Sequence, residues 1–349
     1  MEKIYLKDID LLKKDAEQIP NTHLYSFIKV LMLVNLNMRY ELIKENRNLE
    51  EHPYTLVQKL VNNARTFLAM WQEISFVEDN SHELEMLKKL QLEEKHQELF
   101  QKLWVNFSVD DYEDRIKRYE YRLDINDLGS GFIKGFKCID FGCGHGNFAH
   151  ALIRKGAARV LGLDYGEDNI DYANNMRDKL NISKDKIEFN FSSVYNTKQS
   201  KESYDFAIQN GVFHHLEDEE KAYKEVWRVL KNKGWFWVYT TGAGAIANDL
   251  WEASTHILKD IPHDFVINVL DNLNLKVGKR YHLGDGLNAT YRRTTWKDIT
   301  KFLTDIGFGN FRRLTGGYPT DFDHDVIQAD KYGVEKFGEG DLRFLAQKI

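Results

Sequence analysis

The stretch from Cys138 to Asn147, CIDFGCGHGN, constrains this chain more than any other. A short apolar run ends in Asp140, glycines follow at the alternate positions Gly142, Gly144 and Gly146, and a helical pattern starts straight after them. A strand feeding a glycine-rich turn and then a helix N-terminus is a device for gripping a polar ligand through backbone N–H groups. Glycine serves where the backbone takes positive φ or approaches a ligand with no Cβ in the way. Asp140, at the end of the strand, can accept from a bound amine or hydroxyl.

From Gly135 onward apolar runs alternate with helical periods, as in a parallel sheet covered on both faces. Strands are expected over 136–141, 159–164, 187–191, 204–209 and 235–241, with helices over 147–155, 167–180 and 218–230 between them. The segment 248–273 reads as one or two helices and 281–293 as a loop. A helix over 295–306 and a strand over 309–314 follow, then a long turn over 315–340 and a last strand over 342–348. That strand is reached by a turn rather than a helix and should pair antiparallel with its neighbour.

Residues 1–127 look helical almost throughout, with Pro20 and Pro53 as their only prolines. Leu24, Phe27, Ile28, Leu31, Val34, Met38 and Leu42 read as the inward stripe of one helix, and Leu56, Leu60, Ala64, Phe67, Met70 and Trp71 as that of a second. A third runs over 81–104, and a fourth, from Ser108, carries Tyr112, Arg115, Ile116, Tyr119, Arg122 and Leu123 to pack on the sheet or cover a ligand. The organisation expected is a helical accessory domain over 1–127 and an α/β domain over 128–349, with a lid insertion at 242–294 and a loop at 315–340 over the substrate side.

Hydrophobic residues at 42% and charged residues at 29% are a globular composition, and a net charge of −6 argues against a nucleic-acid partner. Cys138 and Cys143 are the only cysteines, which is no disulfide framework and reads as a reduced, cytoplasmic protein. The N-terminus lacks the apolar core of a signal peptide, and the most apolar window, 27–36, contains Lys29 and Asn35, so no membrane is expected.

Asp164 closes the second expected strand, 22 residues after Gly142, where a carboxylate can bind both hydroxyls of a ribose. Dinucleotide binding wants a small residue at the position of Asn147; here the third glycine is Gly146. A GxGxG loop is consistent with the amino and carboxylate ends of an amino acid.

DFGCGHG, RVLGLD, YDFAIQNGVFHHL and RVLKNKGWFWVYT, in that order and spacing, resemble the class I S-adenosylmethionine-dependent methyltransferases. The resemblance is strong over about 136–241 and places no family on 1–127. It implies an α/β fold: a seven-stranded, mostly parallel Rossmann-like sheet with an antiparallel last strand, here beside an all-helical N-terminal domain. It implies S-adenosylmethionine as cofactor, with Asp140, Gly142, Gly144 and Gly146 at its methionine part and Asp164 at the ribose. Tyr165, Ser193 and Val194 would flank the adenine, and Gln209 and Asn210 the sulfonium and methyl passage.

A sulfonium already carries an activated methyl, so the protein need only align a nucleophile and remove a proton where required. His214 and His215 follow the fourth strand and are candidate bases, with packing as the alternative role. Tyr291, Arg292 and Arg293 could clamp a carboxylate or phosphate of the acceptor, or be solvated charge beside a helix. Asp321, Asp323, His324 and Asp325 could ligate a divalent ion, but no glycine-spaced calcium loop accompanies them and methyl transfer needs no metal, so none is expected. Cys143 reads as inert.

The expected function is methyl transfer to an oxygen or nitrogen of a small-molecule or sugar-like metabolite. The alternatives are a protein or tRNA methyltransferase with the helical domain as docking module, a non-catalytic S-adenosylmethionine-binding partner subunit, and a nicotinamide-dependent oxidoreductase, against which Asn147 speaks. The helical domain is equally open to a homodimer interface.

Overall fold

The computed structural model describes residues 2–73, 109–273, 275, 291–318 and 320–349. The helix expected over 81–104, Ser108 and the loop 281–290 lie outside the described residues. Two compact units divide the chain elsewhere than at residue 127. One draws on Met1–Lys95, Gly244–Ala289 and Ile327–Gly338, the other on His96–Ala243, Thr290–Val326 and Glu339–Ile349.

The first unit is helical. α1 (Leu6–Glu17), α2 (His23–Glu45) and α3 (Pro53–Glu73) share a core with the helices Ile246–Leu258 and His263–Asn272. The segment expected as a lid belongs here because Leu250, Ala253, Ile257, Val266 and Leu270 bury their side chains among Ile28, Leu33, Leu36 and Val57. The expected stripe of α2 is only partly its buried face: Ile28 and Val34 are buried, but Phe27, Met38 and Leu42 are 39%, 50% and 69% exposed, while Met32, Leu33, Leu36 and Tyr40 are buried outside the stripe. A helix packed on several sides is apolar nearly all round, and its sequence does not single out one face. Lys29 of α2 is buried too, with Nζ donating to the carbonyl of Ile19 (2.8 Å) and to Asn21 Oδ1 (2.7 Å); burial pulls its pKa down to about 8. In α3 the buried set is Tyr54, Val57, Val61, Ala64 and Leu68, rotated by a residue from most of the expected stripe. No helix of the described residues is long and apolar enough to cross a membrane.

The second unit holds a seven-stranded sheet in the order β3-β2-β1-β4-β5-β7-β6. The strands are β1 (Lys137–Phe141), β2 (Arg159–Asp164), β3 (Ile187–Phe191), β4 (Tyr204–Asn210), β5 (Leu230–Thr241), β6 (Phe308–Arg313) and β7 (Asp341–Lys348). The first five are parallel, and β7 runs antiparallel to both β5 and β6. α4 (Val109–Ile125), α5 (Asn147–Arg154), α6 (Glu167–Lys179), α7 (Glu219–Val229) and α8 (Trp296–Ile306) accompany it. Side chains alternate between two cores. Cys138, Phe206, Ile208 and Trp237 join Tyr112, Ile116 and Phe148 in one; Ile139, Phe141, Ala207, Phe236 and Val238 join Val226 and Leu303 in the other. Burial on both faces is why the strands read as nearly continuous apolar runs. α4 thus belongs to this unit and not to the helical one. α7 stops at Val229, one residue before its expected end, because Leu230 already pairs with Tyr204 of β4.

Candidate functional site

The carboxyl ends of β1, β2 and β4 bring the sequence-singled residues together. Gly142, Gly144 and Gly146 all have positive φ (72°, 51° and 81°), which requires glycine there. Two of them are also hemmed in: a Cβ on Gly142 would lie 2.6 Å from Val212 Cγ2, and one on Gly146 2.3 Å from Phe189 Cζ. A Cβ on Gly144 would meet nothing within 4 Å. That glycine faces room a ligand can enter.

The turn does not offer its amides as the sequence suggested. Gly142 and Cys143 both donate to the carbonyl of Leu163 (2.7 and 2.9 Å), Gly146 donates to that of Cys143 (2.9 Å), and Gly144 donates to Asp164 Oδ2 (2.8 Å). Four donors are therefore engaged inside the protein. What the turn gives a ligand is close approach, with Asp140 beneath as acceptor.

Asp140 is buried, and its carboxyl is pushed up to about 8, first by burial and then by the neighbouring Asp164. A cation bound against it would reverse that penalty. Asp164 is held on its other oxygen by the amide of Gly166 (2.9 Å) and by Asn169 Nδ2 (3.1 Å), which aim it along the end of β2. Beside it Tyr165 stacks on Phe191, with ring centroids 5.0 Å apart and planes at 27°, and each residue is 48% exposed. Phe191 pairs with Asp164 across β2 and β3 and was missed from sequence, although it is the exposed last residue of an otherwise alternating strand. Ser193 Oγ accepts from the amide of Tyr195 (3.3 Å), and Val194 is buried in the core, so Val194 offers a ligand no exposed side chain.

At the end of β4 the two amide side chains part. Gln209 is fully buried: Nε2 donates to the carbonyl of Tyr239 (3.0 Å), and Oε1 accepts from the amides of Val212 (3.1 Å) and Phe213 (3.3 Å). It fixes a turn and lines no passage, contrary to expectation. Asn210 lies on the opposite face, the face of Asp140. Its Oδ1 accepts from Trp237 Nε1 (3.2 Å), and its Nδ2 donates to the Tyr119 hydroxyl (3.3 Å). Tyr119 stacks flat on Phe148 (4.6 Å, 10°), and burial raises its phenol pKa. Arg115, from the same helix, stands near enough to depress the pKa of His145, which burial chiefly lowers to about 4. Tyr239 shares the face of Trp235 and Trp237, and its hydroxyl donates to Asp341 Oδ1 (3.2 Å). Continuing the alternation of β5 would have found it.

His214 and His215 are brought together but buried, with ring centroids 4.1 Å apart. His214 Nδ1 lies 3.3 Å from Thr240 Oγ1, and Thr240 points to the face opposite Tyr239. Burial, reinforced by His215 and Arg293, pushes the His214 pKa well below the usual imidazole range. Tyr291 lies flat on His214 (5.2 Å, 20°) and edge-on to His215 (4.3 Å, 72°). The Arg292 amide donates to the carbonyl of His214 (2.8 Å) and its guanidinium to that of Glu217. Arg293 sits 5.9 Å from the Tyr291 ring. These three residues form a strap across the turn after β4; Tyr291 and Arg292 are engaged with protein groups.

Within the acidic run after β6, Asp321 and Asp323 belong to an ion-pair network. Arg122 grips Asp321 with Nη2 (2.7 and 3.0 Å) and donates Nε to the carbonyl of Gly316 (3.1 Å). Arg343 Nη1 donates to Asp323 (2.9 Å), whose other oxygen takes the Gly316 amide (2.6 Å). These carboxylates balance two buried guanidiniums. Among the described residues no cluster of His, Cys, Asp and Glu could hold a metal ion.

Residues 133–278 match the family model of a methyltransferase domain. The sterol 24-C-methyltransferase erg6 of Aspergillus fumigatus is 34% identical over 111 residues, 31% of this chain and 29% of that enzyme. The ubiquinone biosynthesis O-methyltransferase of Pelagibacter ubique is 26% identical over 189 residues, 49% of this chain and 76% of that one. The chain thus spans under a third of the first relative and about three quarters of the second. A solved S-adenosylmethionine-dependent methyltransferase from Mesorhizobium loti matches with 18% identity and a TM-score of 0.41, over 63% of this chain and 99% of its own.

Proposed function

We propose that this chain, which carries a class I S-adenosylmethionine-dependent methyltransferase domain, transfers a methyl group to an oxygen or nitrogen of a small-molecule or sugar-like metabolite. The observation that carries the reading is the row Gly144, Asp164, Tyr165–Phe191 along the ends of β1, β2 and β3: open room, a ribose acceptor and an exposed aromatic stack. The residues fit the cofactor end to end. Asp140 would accept from the ammonium, the bare face of Gly144 would admit the methionine chain, Asp164 would take the ribose hydroxyls, and Tyr165 and Phe191 would cover the adenine.

The cofactor supplies the activated methyl. The protein's own contribution on the acceptor side is alignment and exclusion of water by Tyr119, Asn210 and Tyr239, on the face of Asp140. Their hydroxyl and amide groups suit an acceptor bearing hydroxyl or amino groups. His214 and His215 are buried against each other, with His214 beside Thr240, which favours orientation of the turn over proton removal.

Calorimetry with S-adenosylmethionine and with NADH, on the wild type and Asp164→Ala, tests the cofactor. Micromolar binding of the first alone, weakened at least tenfold in the variant, is expected; NADH binding, or no loss in Asp164→Ala, would sink the reading. Methyl transfer from labelled cofactor to a panel of hydroxy and amino metabolites, with a protein and a tRNA as further arms, tests the acceptor class.

A further inference from the structure

The carbonyls of the glycine turn need partners as much as its amides do, since each buried polar group left alone costs free energy. The His145 carbonyl finds its partner in a side chain, and the Gly146 carbonyl, which accepts the His150 amide (3.1 Å), gains a second one there. The Tyr112 hydroxyl of α4 donates to the carbonyl of His145 (2.7 Å), and His150 Nδ1 of α5 lies 2.8 Å from the carbonyl of Gly146. The two side chains also meet, with Tyr112 Oη 3.0 Å from His150 Nδ1 and their rings edge-on at 5.6 Å. Both are fully buried.

The hydrogen count fixes the tautomer. The single phenol proton goes to His145, so the proton on Nδ1 is shared between the Gly146 carbonyl and Tyr112 Oη. Nε2 is then the lone-pair nitrogen, and it is buried without a partner. An orphaned nitrogen is a cost that a core made only for packing would avoid with leucine. The histidine keeps it and gains the hold on Gly146, the N-cap of α5 in left-handed conformation.

We propose that Tyr112 and His150 act as one strut that sets the glycine turn for its ligand, so that α4, which precedes the α/β core in sequence, contributes to cofactor affinity. Neither touches the ligand's room; both are positioning residues, and the proposal rests on the cofactor reading above. The backbone of the turn must hold three positive-φ residues in sequence with alternate neighbours. Holding the carbonyls of His145 and Gly146 leaves the peptide planes on either side of Gly146 one orientation.

Hydrogen exchange of the free protein and calorimetry with S-adenosylmethionine test this on Tyr112→Phe, His150→Leu and His150→Asn. Tyr112→Phe and His150→Leu should each speed exchange in the peptide spanning 142–148 and raise the cofactor Kd about tenfold, as for loss of one buried hydrogen bond. The double variant should be little worse than either single one, because the two act as a unit. His150→Asn, whose amide can donate to the same carbonyl, should stay within about threefold of wild type. A merely structural role would lower the melting temperature of all three and leave Kd within about twofold, which would overturn the strut. If the wild type itself bound no cofactor, the reading above would fail, and unchanged exchange in Tyr112→Phe would overturn the strut separately. Should Tyr112→Phe not fold, the contrast between His150→Leu and His150→Asn decides.

Discussion

Two turns leave neighbouring strands of the same sheet and end oppositely. The turn after β1, 142–146, and the turn after β4, 211–215, both carry glycine at positive φ, and they touch where Gly142 meets Val212. The first is held from behind by Tyr112, His150 and Asp164, and leaves the front of Gly144 open. The second is filled by its own chain: the Gln209 amide takes three backbone partners, and Tyr291 lies on His214 and His215. A turn that serves a ligand differs from one that serves the fold less in its residue types than in where its polar groups find partners.

The sharpest way to break this contrast is a glycine-to-alanine series in the first turn. Gly146→Ala should cost about 3 kcal/mol, combining left-handed strain with a Cβ driven into the Phe189 ring. Gly142→Ala, against Val212, should follow. Gly144→Ala should cost only about 1 kcal/mol, since its space is open, yet weaken S-adenosylmethionine binding at least tenfold by filling the room the ligand needs. Urea midpoints and calorimetry separate the two effects. Equal destabilisation at positions 144 and 146, or unchanged affinity in Gly144→Ala, would remove the distinction between open and closed glycines.

The same contrast explains what could be read from sequence. β2 and β3 fall on their expected residues, because strands buried on both faces between polar flanks are locally specified. The glycines, Asp140 and Asp164 were legible because their chemistry lies in backbone conformation and strand ends. The face of the histidines was not legible, since the period of two that assigns faces along β4 breaks at Gly211 (φ 82°). The partner of those histidines, Tyr291, is remote in sequence, and no local pattern announces it. Arg122 with Asp321 and Arg343 with Asp323 are likewise pairings between distant segments, so the sequence did not show which cations these carboxylates balance. On α2 the apolar residues outnumber one stripe, and the exposed Met38 and Leu42 mimic a core face.

Gln209→Leu sharpens the comparison from the other turn. The change is near-isosteric and leaves the amides of Val212 and Phe213 and the carbonyl of Tyr239 without their side-chain partner. A loss of about 2–3 kcal/mol in stability is expected. The S-adenosylmethionine Kd, measured by calorimetry well below the melting temperature, should move by less than about threefold, because the side chain sits on the face away from Asp140. A large rise in Kd without loss of stability would restore Gln209 to the ligand's passage.

The smallest expected effect is a slope with pH, and it should belong to the first turn alone. The carboxyl of Asp140 moves from 3.8 to about 8 on folding, so the folded protein binds the extra proton between those values. Stability from this group is therefore fully present below about 4 and is lost as pH rises towards about 8. Binding of an ammonium group works in the opposite direction, since it needs the carboxylate. The S-adenosylmethionine Kd should fall as pH rises from 6 to 8, by up to about tenfold per unit, and level off above about 8. Asp140→Asn should bind more weakly and show no such slope. His214 lies well below the usual imidazole range and cannot titrate in that window, so His214→Asn should keep the slope of the wild type. Calorimetry at three pH values in buffers of matched ionic strength measures all three proteins. A slope that disappears with His214 and survives in Asp140→Asn would mean that the second turn, and not the first, is the one that meets the charged ligand.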